Sequence, residues 1–479
     1  MECLRHILRI IKDSPILFNT SVMLSNVYPT NHAMGSNNNN ISSFKVIVVG
    51  GGPMGLTAAH ALHLAGIDFV VLERRPNIVE DQGASLVVYP HTFRVLHQFG
   101  ILEKVLSVGN ELNHHLSITS LGHVFKEGTR YDRVRENHGY GPAAFHRAEL
   151  VAIMYNGLPT TAKEKILTDK KVTDIKTCET NVTVTCADGS VYEGSMVIGA
   201  DGVHSKTRRL MRDLALQDDS SRTWDPAEPF MAAYQVLFGS FPSPSEPGLG
   251  YDVQTWDKSI MYLSGSERSW FFLYKKLPKP TKERMDYTDQ DIEALAKEFA
   301  EFPLTQKVKV KDVWPRMLGA GLTNLQEGIL QHWSLGRIVL VGDACHKLTT
   351  HLGLGYNNGV QDVVVLCNKL RDAVLAAPDG NPDASALTQV FESYEAVRKS
   401  PASSLVADLA HSGMETRMHA WANTGYYMLS RFLIMPKVVE DIVVKSVISP
   451  ELRKGQVLDY VPMEEPMKGK LSWLYPMRA

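Results

Sequence analysis

The alternation of apolar and polar positions is most regular between residues 45 and 73. An unbroken apolar run at 46–49 predicts a strand that is buried on both faces. Residues 56–65 predict a helix that ends at Gly66, and residues 67–72 predict a second buried strand. A strand, a helix and a second strand in this order predict a βαβ unit and therefore a parallel sheet.

The pattern over the rest of the chain predicts an α/β protein with one long β-rich stretch. Residues 226–314 are mostly strands with prolines in the turns, and the chain beyond 376 is helical up to a tail from Pro450 that is interrupted by prolines and charges. Further predicted strands are 116–125, 143–146, 171–176, 182–186, 231–239, 259–263 and 270–275, and further predicted helices are 91–99, 360–370, 385–397, 404–418 and 426–447.

A glycine-rich loop joins the first strand to the first helix. It reads Gly50-x-Gly52-x-x-Gly55, in which the first glycine permits a tight turn, the second lets the backbone approach a pyrophosphate, and the third lets helix and strand pack closely. Glu73 ends the second strand 18 residues after Gly55, where a carboxylate would accept the ribose hydroxyls. The stretch predicts an adenine dinucleotide site, and the alternative is a chance glycine turn.

Two later predicted strands are also followed by loops that contain glycine and aspartate, residues common in binding sites. A strand beginning at 196 leads into Asp201-Gly202, and a strand beginning at 338 leads into Gly342-Asp343. The second loop ends in Gly353-x-Gly355 before a helix. Glycine-rich backbone at a helix N-terminus offers N–H donors, which suit an anionic or electron-rich group.

Aromatic side chains are concentrated in the β-rich stretch. With Trp224 included, it holds four of the seven tryptophans, and it carries tyrosines at 234, 251, 262 and 274. A sheet of this kind lines an apolar ligand cavity or forms a plain aromatic core, and composition alone favours neither interpretation.

Composition limits the classes of function. The 479 residues carry a formal net charge of −2 and no basic run, which gives no electrostatic case for nucleic acid. Five scattered cysteines indicate reduced thiols and predict neither a disulfide framework nor a metal site. No apolar run reaches the length of about 18 to 20 residues that spans a bilayer. We expect an intracellular protein, either cytoplasmic or loosely associated with a membrane.

Residues 1–43 differ from the nucleotide-binding stretch. Residues 4–12 predict a short basic amphipathic helix, and residues 37–40 are four asparagines. One interpretation is an organelle-targeting or membrane-surface segment, which would allow peripheral membrane association. The other, which we expect, is a disordered extension or an upstream stretch outside the working protein.

In order and spacing, the three motifs resemble single-component flavin-dependent monooxygenases built like p-hydroxybenzoate hydroxylase. The glycine loop with Glu73 comes first, Asp201-Gly202 with Ser205 and Arg208 second, and the Gly342-to-Gly355 loop third. The resemblance covers residues 44–375 and implies an α/β, Rossmann-like FAD-binding fold with an inserted, mostly β substrate domain and a helical C-terminal region.

That resemblance also implies domain boundaries and site residues. The FAD-binding domain would comprise 44–215 and 329–375, the substrate domain 216–328, and the helical region 376–479, after the extension at 1–43. Tyr234 falls in the substrate-domain strand where such enzymes carry active-site residues and is the candidate catalytic residue. The implied FAD contacts are Gly50, Gly52, Gly55, Glu73, Val87, Arg147, Asp201, Asp343, Gly353, Gly355 and Tyr356.

Within this class, the stretch Gln82-Gly83-Ala84-Ser85-Leu86 is most similar to fungal enzymes of indole-terpenoid, meroterpenoid and indole-alkaloid pathways. The chemistry implied is reduction of FAD by NADPH, capture of O₂ as a flavin C4a-hydroperoxide, and epoxidation or hydroxylation of an apolar secondary metabolite. The substrate class implied is a prenylated indole, terpenoid or meroterpenoid.

Other functions stay open at this point. One alternative is a hydroxylase of a phenolic or polyketide ring. The alternatives from other functional classes are an FAD-dependent terpenoid reductase or cyclase and an inactive flavin-binding protein. A flavin-dependent halogenase is disfavoured because the sequence holds no Trp-x-Trp-x-Ile-Pro stretch.

The sequence departs from the resemblance at three positions. Thr350 stands where the family usually has a proline that holds the loop against the flavin ring, and Tyr356 places a bulky side chain where it could reshape the pocket. Gln235 stands beside Tyr234 where some relatives carry a basic residue. His346, in the Gly342-Asp343 loop, is expected to be structural and not a catalytic base.

Overall fold

The structure, a computed structural model, describes residues 44–81, 84–255, 257–348, 350, 353–399 and 444–478. The predicted helices at 4–12 and 404–418, nearly all of the one at 426–447, and Gln82-Gly83 lie outside these residues. The described strands are β1 (Lys45–Val49), β2 (Asp68–Leu72), β3 (Ser85–Val88), β4 (Asn110–Glu111), β5 (His114–Ile118), β6 (Val124–Gly128), β7 (Ala143–His146), β8 (Ile166–Leu167), β9 (Val172–Thr177), β10 (Val182–Cys186), β11 (Val191–Gly194), β12 (Met196–Gly199), β13 (Met231–Pro242), β14 (Leu249–Gln254), β15 (Lys258–Ser264), β16 (Arg268–Thr281), β17 (Gly319–Ile329), β18 (Ser334–Leu335), β19 (Ile338–Leu340) and β20 (His346–Lys347).

The helices are spread along the described chain. They are α1 (Pro53–Ala65), α2 (Pro90–Gln98), α3 (Leu102–Val108), α4 (Arg130–His138), α5 (Arg147–Gly157), α6 (Thr160–Lys163), α7 (Lys206–Asp218), α8 (Asp289–Glu298), α9 (Val310–Val313), α10 (Gly355–Ala376), α11 (Ala384–Lys399) and α12 (Ser449–Arg453). Among the described residues, no helix combines the length and the apolar character needed to cross a bilayer.

The predicted parallel sheet is present, with β18-β19-β12-β1-β2-β8 as its strand order. All neighbours except the edge strand β18 pair in parallel. The apolar run of β1 is almost completely buried, as expected for a strand covered on both faces. Helix α1 connects β1 to β2, and α10 packs on α1. The α/β, Rossmann-like part of the predicted fold is therefore confirmed.

A second, eight-stranded sheet is built mainly from the predicted substrate stretch, in the order β20-β17-β13-β16-β15-β14-β5-β6. One face packs on α8 and α9 through residues such as Leu237, Tyr262 and Phe271. The opposite face packs against Val87 of β3 and Ala144 of β7. Strands β5 and β6 come from the predicted FAD-binding part 44–215, so the two parts share this sheet, and the domain boundaries stay a prediction.

Two local predictions are wrong in detail. The single strand predicted at 116–125 is two strands, β5 and β6, because Gly122 (φ +83°) and the hydrogen bond from the Thr119 N–H to the His123 carbonyl (2.9 Å) close a turn between them. The helix predicted at 360–370 is α10, which already begins at Gly355. Apolar periodicity misses the first turn of this helix because that turn is glycine- and asparagine-rich.

The C-terminal segment is tied to the FAD-binding part through buried Arg94 of α2. Its guanidinium donates to both carboxylate oxygens of Glu465 (2.8 and 2.6 Å) and to the Gly455 and Tyr475 carbonyls (2.9 and 2.6 Å), and it stacks on Trp473. Helices α11 and α12 belong to the predicted helical C-terminal region, but residues 454–478 form turns and irregular structure, so the prediction of a helical region up to 479 is wrong for this stretch.

Candidate functional site

The three sequence motifs meet at one edge of the parallel sheet. Strands β1, β12 and β19 are neighbours, and the three loops follow their carboxyl ends. The Ala200 N–H donates to the Val49 carbonyl (2.9 Å), and the Val341 N–H donates to the Gly199 carbonyl (3.0 Å). Open α/β sheets bind ligands at such an edge, so residues far apart in sequence form one candidate site.

The three glycines of the first loop have different surroundings. Gly50 has φ +106°, and a Cβ there would lie 2.6 Å from the Ala200 carbonyl oxygen. A Cβ on Gly55 would lie 1.8 Å from the Gly50 carbonyl oxygen, whereas a Cβ on Gly52 would meet nothing within 4 Å. Gly50 and Gly55 are therefore required by the fold, and Gly52 faces open space that a pyrophosphate would fill.

Glu73 lies beside this loop and is almost fully buried. Its Oε2 accepts the Gly51 N–H (2.6 Å), and its Oε1 accepts the N–H and Nε–H of Arg75 (3.0 and 2.8 Å). Burial pushes the pKa of Glu73 upward, but these hydrogen bonds outweigh it and leave the pKa below its usual value. A carboxylate oxygen can accept more than one hydrogen bond, so Oε2 retains capacity for a ribose hydroxyl.

Arg147 begins α5, and its N–H donates to the Ala84 carbonyl (3.1 Å). Burial and then the positive charge of Arg75 lower the pKa of Arg147, while the Asp343 carboxylate acts in the opposite direction. A guanidinium in this environment is still charged but poorly hydrated. Bringing a phosphate to it would be favourable, which fits the predicted FAD contact.

The side chain of Asp201 is used to hold its own turn. Its Oδ1 accepts the Ser205 hydroxyl (2.5 Å), and its Oδ2 accepts the N–H and hydroxyl of Thr207 (2.9 and 3.0 Å) at the start of α7. Arg208 in the same helix donates to the Ala344 carbonyl (3.0 Å) and thereby joins the second motif to the third. A direct role of Asp201 in binding the cofactor stays a prediction.

Asn357, which the sequence does not mark as a site residue, organises the Gly342-to-Gly355 loop, called the flavin-side loop below after the cofactor that the resemblance implies there. Its Oδ1 accepts the Tyr89 N–H (2.9 Å) and the Thr92 hydroxyl (2.8 Å), and its Nδ2 donates to the Val87 and Gly353 carbonyls (both 2.8 Å). All four hydrogen-bonding positions of the amide are thus filled. The asparagine is visible in the motif, but three of its four partners lie 265 to 270 residues away and carry no local signal.

Tyr356 does not present its ring to a pocket. Its side chain lies in the main hydrophobic core, with the hydroxyl 3.4 Å from the Met154 sulfur. Burial raises the pKa of this hydroxyl. The expectation that the bulky side chain reshapes the pocket is wrong, because the first turn of α10 directs it inward. A contact of Tyr356 with FAD would have to use its backbone.

His346 belongs to a buried network that supports the Gly342-Asp343 loop. Its Nε2 lies 2.6 Å from Oδ2 of Asp362, which also accepts the Gly342 N–H (2.9 Å), while Asp362 Oδ1 accepts Arg398 Nε–H (2.7 Å). This agrees with the structural role expected for His346. Cys345, His346 and Asp362 are close enough to share a metal ion, but Asp362 is already paired with a buried guanidinium.

Asp343 and the remaining predicted contacts lie around the same loop. Asp343 pairs with Lys347 (2.5 Å), and a Cβ on Gly355 would have Asp343 Oδ1, at 4.0 Å, as its nearest neighbour. A Cβ on Gly353 (φ +65°) would lie 2.8 Å from the Cβ of Val87. The structure therefore brings Val87, Gly353, Gly355 and Asp343 together and leaves open space at Gly355.

Tyr234 lies on the face of the eight-stranded sheet that packs against Val87. Alternate residues of β13, β15, β16 and β17 make this face, which we call the substrate face. Its apolar members are Val236, Phe238, Met261, Leu263, Phe272 and Leu325. The opposite face is a plain core against α8 and α9. That the substrate face lines a ligand cavity stays a prediction.

Three buried polar atoms on the substrate face have no hydrogen-bond partner among the described residues. They are the Tyr234 hydroxyl, the Ser240 hydroxyl and the Trp270 indole nitrogen. Buried polar groups normally pair with protein, water or a ligand, so these three atoms are available to hydrogen-bond a bound molecule. Burial, with smaller effects of Asp257 and Glu327, raises the pKa of Tyr234 to about 12. The hydroxyl is therefore a neutral donor at physiological pH.

The residues present fit FAD. Gly52 and Gly355 leave room where the backbone would approach the cofactor, Glu73 offers a carboxylate for the ribose, and Arg147 offers a desolvated positive charge. The first-turn N–H groups of α1 and α10 have no partner within their own helices and add donors at the same edge.

Comparison with known proteins supports this assignment. A family model described as FAD binding domain matches residues 43–407. The FAD-dependent monooxygenase srdH of Neurospora crassa is 32% identical over 452 residues, which cover 90% of this chain and 98% of that protein. The FAD-dependent monooxygenase ausM of Penicillium brasilianum is 31% identical over 369 residues, 74% of this chain and 76% of that protein.

Solved structures agree on the fold. HpxO of Klebsiella pneumoniae, complexed with FAD and uric acid, superimposes with a TM-score of 0.66 at 22% identity and covers 86% of this chain and 99% of its own. The predicted resemblance to fungal FAD-dependent monooxygenases is confirmed by the relatives, and the predicted fold is confirmed by this superposition.

Proposed function

This chain belongs to the FAD-binding-domain family and is an FAD-dependent monooxygenase, and we propose that it uses NADPH and O₂ to epoxidise or hydroxylate an apolar secondary metabolite in a fungal-type biosynthetic pathway. The observation that carries the proposal is the apolar substrate face with its three unpartnered polar atoms. This face meets the flavin-side loop through Val87.

The arrangement of the polar atoms supports an elongated substrate. Tyr234 and Ser240 are six residues apart on β13, about 20 Å at the usual rise of a strand. Trp270 is paired with Ser240 across the strands, so its indole belongs to the same end. The face between the two ends is apolar. A prenylated indole, terpenoid or meroterpenoid with polar groups at both ends of a hydrocarbon body matches this pattern.

The chain itself contributes binding, orientation and exclusion of water. Bound FAD would supply the redox chemistry, taking a hydride from NADPH and activating O₂. The apolar substrate face would keep water away from the reacting carbon. The Tyr234 hydroxyl would donate a hydrogen bond to a polar group of the substrate and would serve as a proton donor if an indole or phenol ring is oxidised.

The location proposed for this reaction is inside the cell. NADPH is an intracellular reductant, and Cys178, Cys186, Cys345 and Cys367 are free thiols. Peripheral attachment to a membrane would bring the enzyme close to prenylated substrates and stays part of the proposal.

The visible spectrum and NADPH consumption of the purified protein test the proposal. We expect the absorption bands of bound oxidised flavin, and NADPH use in air that rises only with some members of a panel of prenylated indoles, terpenoids and phenols. A phenol-only response would favour the ring hydroxylase. A flavin that is reduced but does not react with O₂ would favour the reductase or cyclase, and no turnover at all would favour an inactive flavoprotein.

Tyr234→Phe tests the predicted catalytic residue. We expect kcat/KM to fall about tenfold or more, because the substrate or a developing charge loses a buried hydrogen bond. FAD affinity should be unchanged. Since the pKa of Tyr234 is raised to about 12, its contribution should persist through neutral pH and be lost only as pH rises toward that value.

The matched control is Tyr262→Phe, which removes a buried hydroxyl from the opposite face of the same sheet. Steady-state kinetics of both variants against pH make the comparison. Equal effects of the two substitutions would argue against a role of Tyr234 in the reaction.

A further inference from the structure

One hydrogen bond crosses from the substrate face to the flavin-side loop. The Tyr274 hydroxyl lies 2.9 Å from the hydroxyl of Thr350. Tyr274 is completely buried, belongs to the substrate face, and is the cross-strand partner of Val236. Thr350 lies in the loop between β20 and α10. The bond therefore joins a side chain of this sheet to the loop that leads from its edge strand β20 to α10 of the FAD-binding part.

Thr350 is well placed to control the conformation of the glycine segment that follows. Its carbonyl accepts the Gly353 N–H (3.1 Å). Gly353 has φ +65°, a conformation that suits glycine, and its carbonyl accepts Nδ2 of Asn357 (2.8 Å). A displacement of Thr350 would thus be passed directly to Gly353 and to the first turn of α10.

We propose that Tyr274 and Thr350 are a positioning pair, which sets the distance between the flavin-binding segment 353–355 and the substrate face. The inference rests on the flavin placement proposed above. A proline at position 350 would fix the loop through its ring but would have no side-chain hydrogen bond to offer. In this chain the loop is instead held by a bond to the wall against which the substrate would lie.

The contrast with Tyr262 shows why the bond is more than sheet packing. Tyr262 is an equally buried tyrosine of the neighbouring strand, and its hydroxyl bonds to Ser245 and Ser269 (3.0 and 3.1 Å). Ser269 lies in the same sheet and Ser245 in a turn beside it, so that bond stabilises the sheet region alone. The Tyr274 hydroxyl instead bonds to the loop that leads from β20 out of the sheet to α10, where the predicted flavin contacts Gly353 and Gly355 lie.

Thr350→Val tests the pair with little change in shape. We expect about fivefold weaker FAD binding, the factor that corresponds to one neutral hydrogen bond. We also expect a changed absorption band of the bound flavin and a larger share of NADPH oxidised to hydrogen peroxide without product. Thr350→Ser, which keeps a hydroxyl, should restore all three properties, and Tyr262→Phe should alter none of them.

A double-mutant cycle with Tyr274→Phe isolates the bond itself. The double variant should be no worse than the more affected single variant, whereas additive losses would overturn the pair. Gly355→Val separates this inference from the flavin placement. If Gly355→Val loses FAD while Thr350→Val is unchanged, the positioning pair alone is overturned. If Gly355→Val binds FAD normally, the flavin placement is overturned, and the positioning pair falls with it.

Discussion

Replacing Gly52 with valine is expected to weaken FAD binding by about 100-fold or more without unfolding the protein. The valine side chain would enter the open space beside the loop, where the structure offers no protein atom within 4 Å of a Cβ. That is the space through which a pyrophosphate reaches the backbone. Fluorescence titration with FAD gives the affinity, and a factor of 100 corresponds to about 2.7 kcal/mol.

The stability of the FAD-free protein should change little. Gly52 has φ −73°, an angle that every residue adopts, and its carbonyl still accepts the Leu56 N–H (3.0 Å). Valine is a poorer N-cap than glycine, which costs about 1 kcal/mol at most. Normal FAD affinity in Gly52→Val would contradict the assignment of this loop to the cofactor.

Gly55→Ala is the matched control in the same loop. Its Cβ would lie 1.8 Å from the Gly50 carbonyl oxygen, so helix α1 would have to move away from the turn. We expect this variant to lose stability even without FAD. The two substitutions should therefore both lower cofactor binding, but only Gly55→Ala should lower the unfolding midpoint of the FAD-free protein.

These two glycines also mark how far the sequence could predict the site. Their roles follow from the strand–loop–helix pattern, because steric demands within a few residues are local. Each of the three motifs is likewise recognisable as a loop after a strand. Their adjacency is not local: it depends on the strand order β19-β12-β1, which the sequence pattern leaves open.

The contacts that hold the site together were harder to predict for the same reason. Asn357 bonds to backbone and side chains around 265 to 270 positions away, and Asp362 bonds to His346 and Arg398 on either side of it. The place of Tyr356 in the motif predicts that its side chain faces the pocket, but a motif does not determine the direction of a side chain. Only the start of α10 at Gly355 decides that its ring points into the core.

Asp362→Ala is expected to produce a large loss of stability. Its side chain is completely buried and accepts from the Gly342 N–H and Arg398, with His346 at 2.6 Å. Removing it leaves a buried guanidinium without its counter-charge, which typically costs about 3–5 kcal/mol. The Gly342 N–H loses its partner as well, so FAD affinity should also fall. Urea denaturation of the FAD-free protein measures the first effect.

The charge of Asp362 gives this prediction a dependence on pH. Burial alone would raise the pKa of the carboxyl, but His346 and Arg398 reverse the effect and hold the pKa below its usual value. A carboxyl whose pKa is lower in the folded state stabilises the protein above its unfolded pKa, and that contribution is lost as pH falls through the folded value. Asp362→Asn should remove this part of the acid sensitivity.

An exposed aspartate provides the comparison that separates burial from charge. Asp188 forms a surface ion pair with Lys170 (2.5 Å), and its pKa is also lowered, chiefly by that hydrogen bond. Solvent screens such pairs, so Asp188→Asn should leave the urea midpoint nearly unchanged at neutral pH. If Asp362→Ala were equally mild, the buried network would not be what holds the Gly342-Asp343 loop. A large loss of stability in Asp362→Ala but not in Asp188→Asn would show that the Gly342-Asp343 loop depends on the buried carboxylate of Asp362.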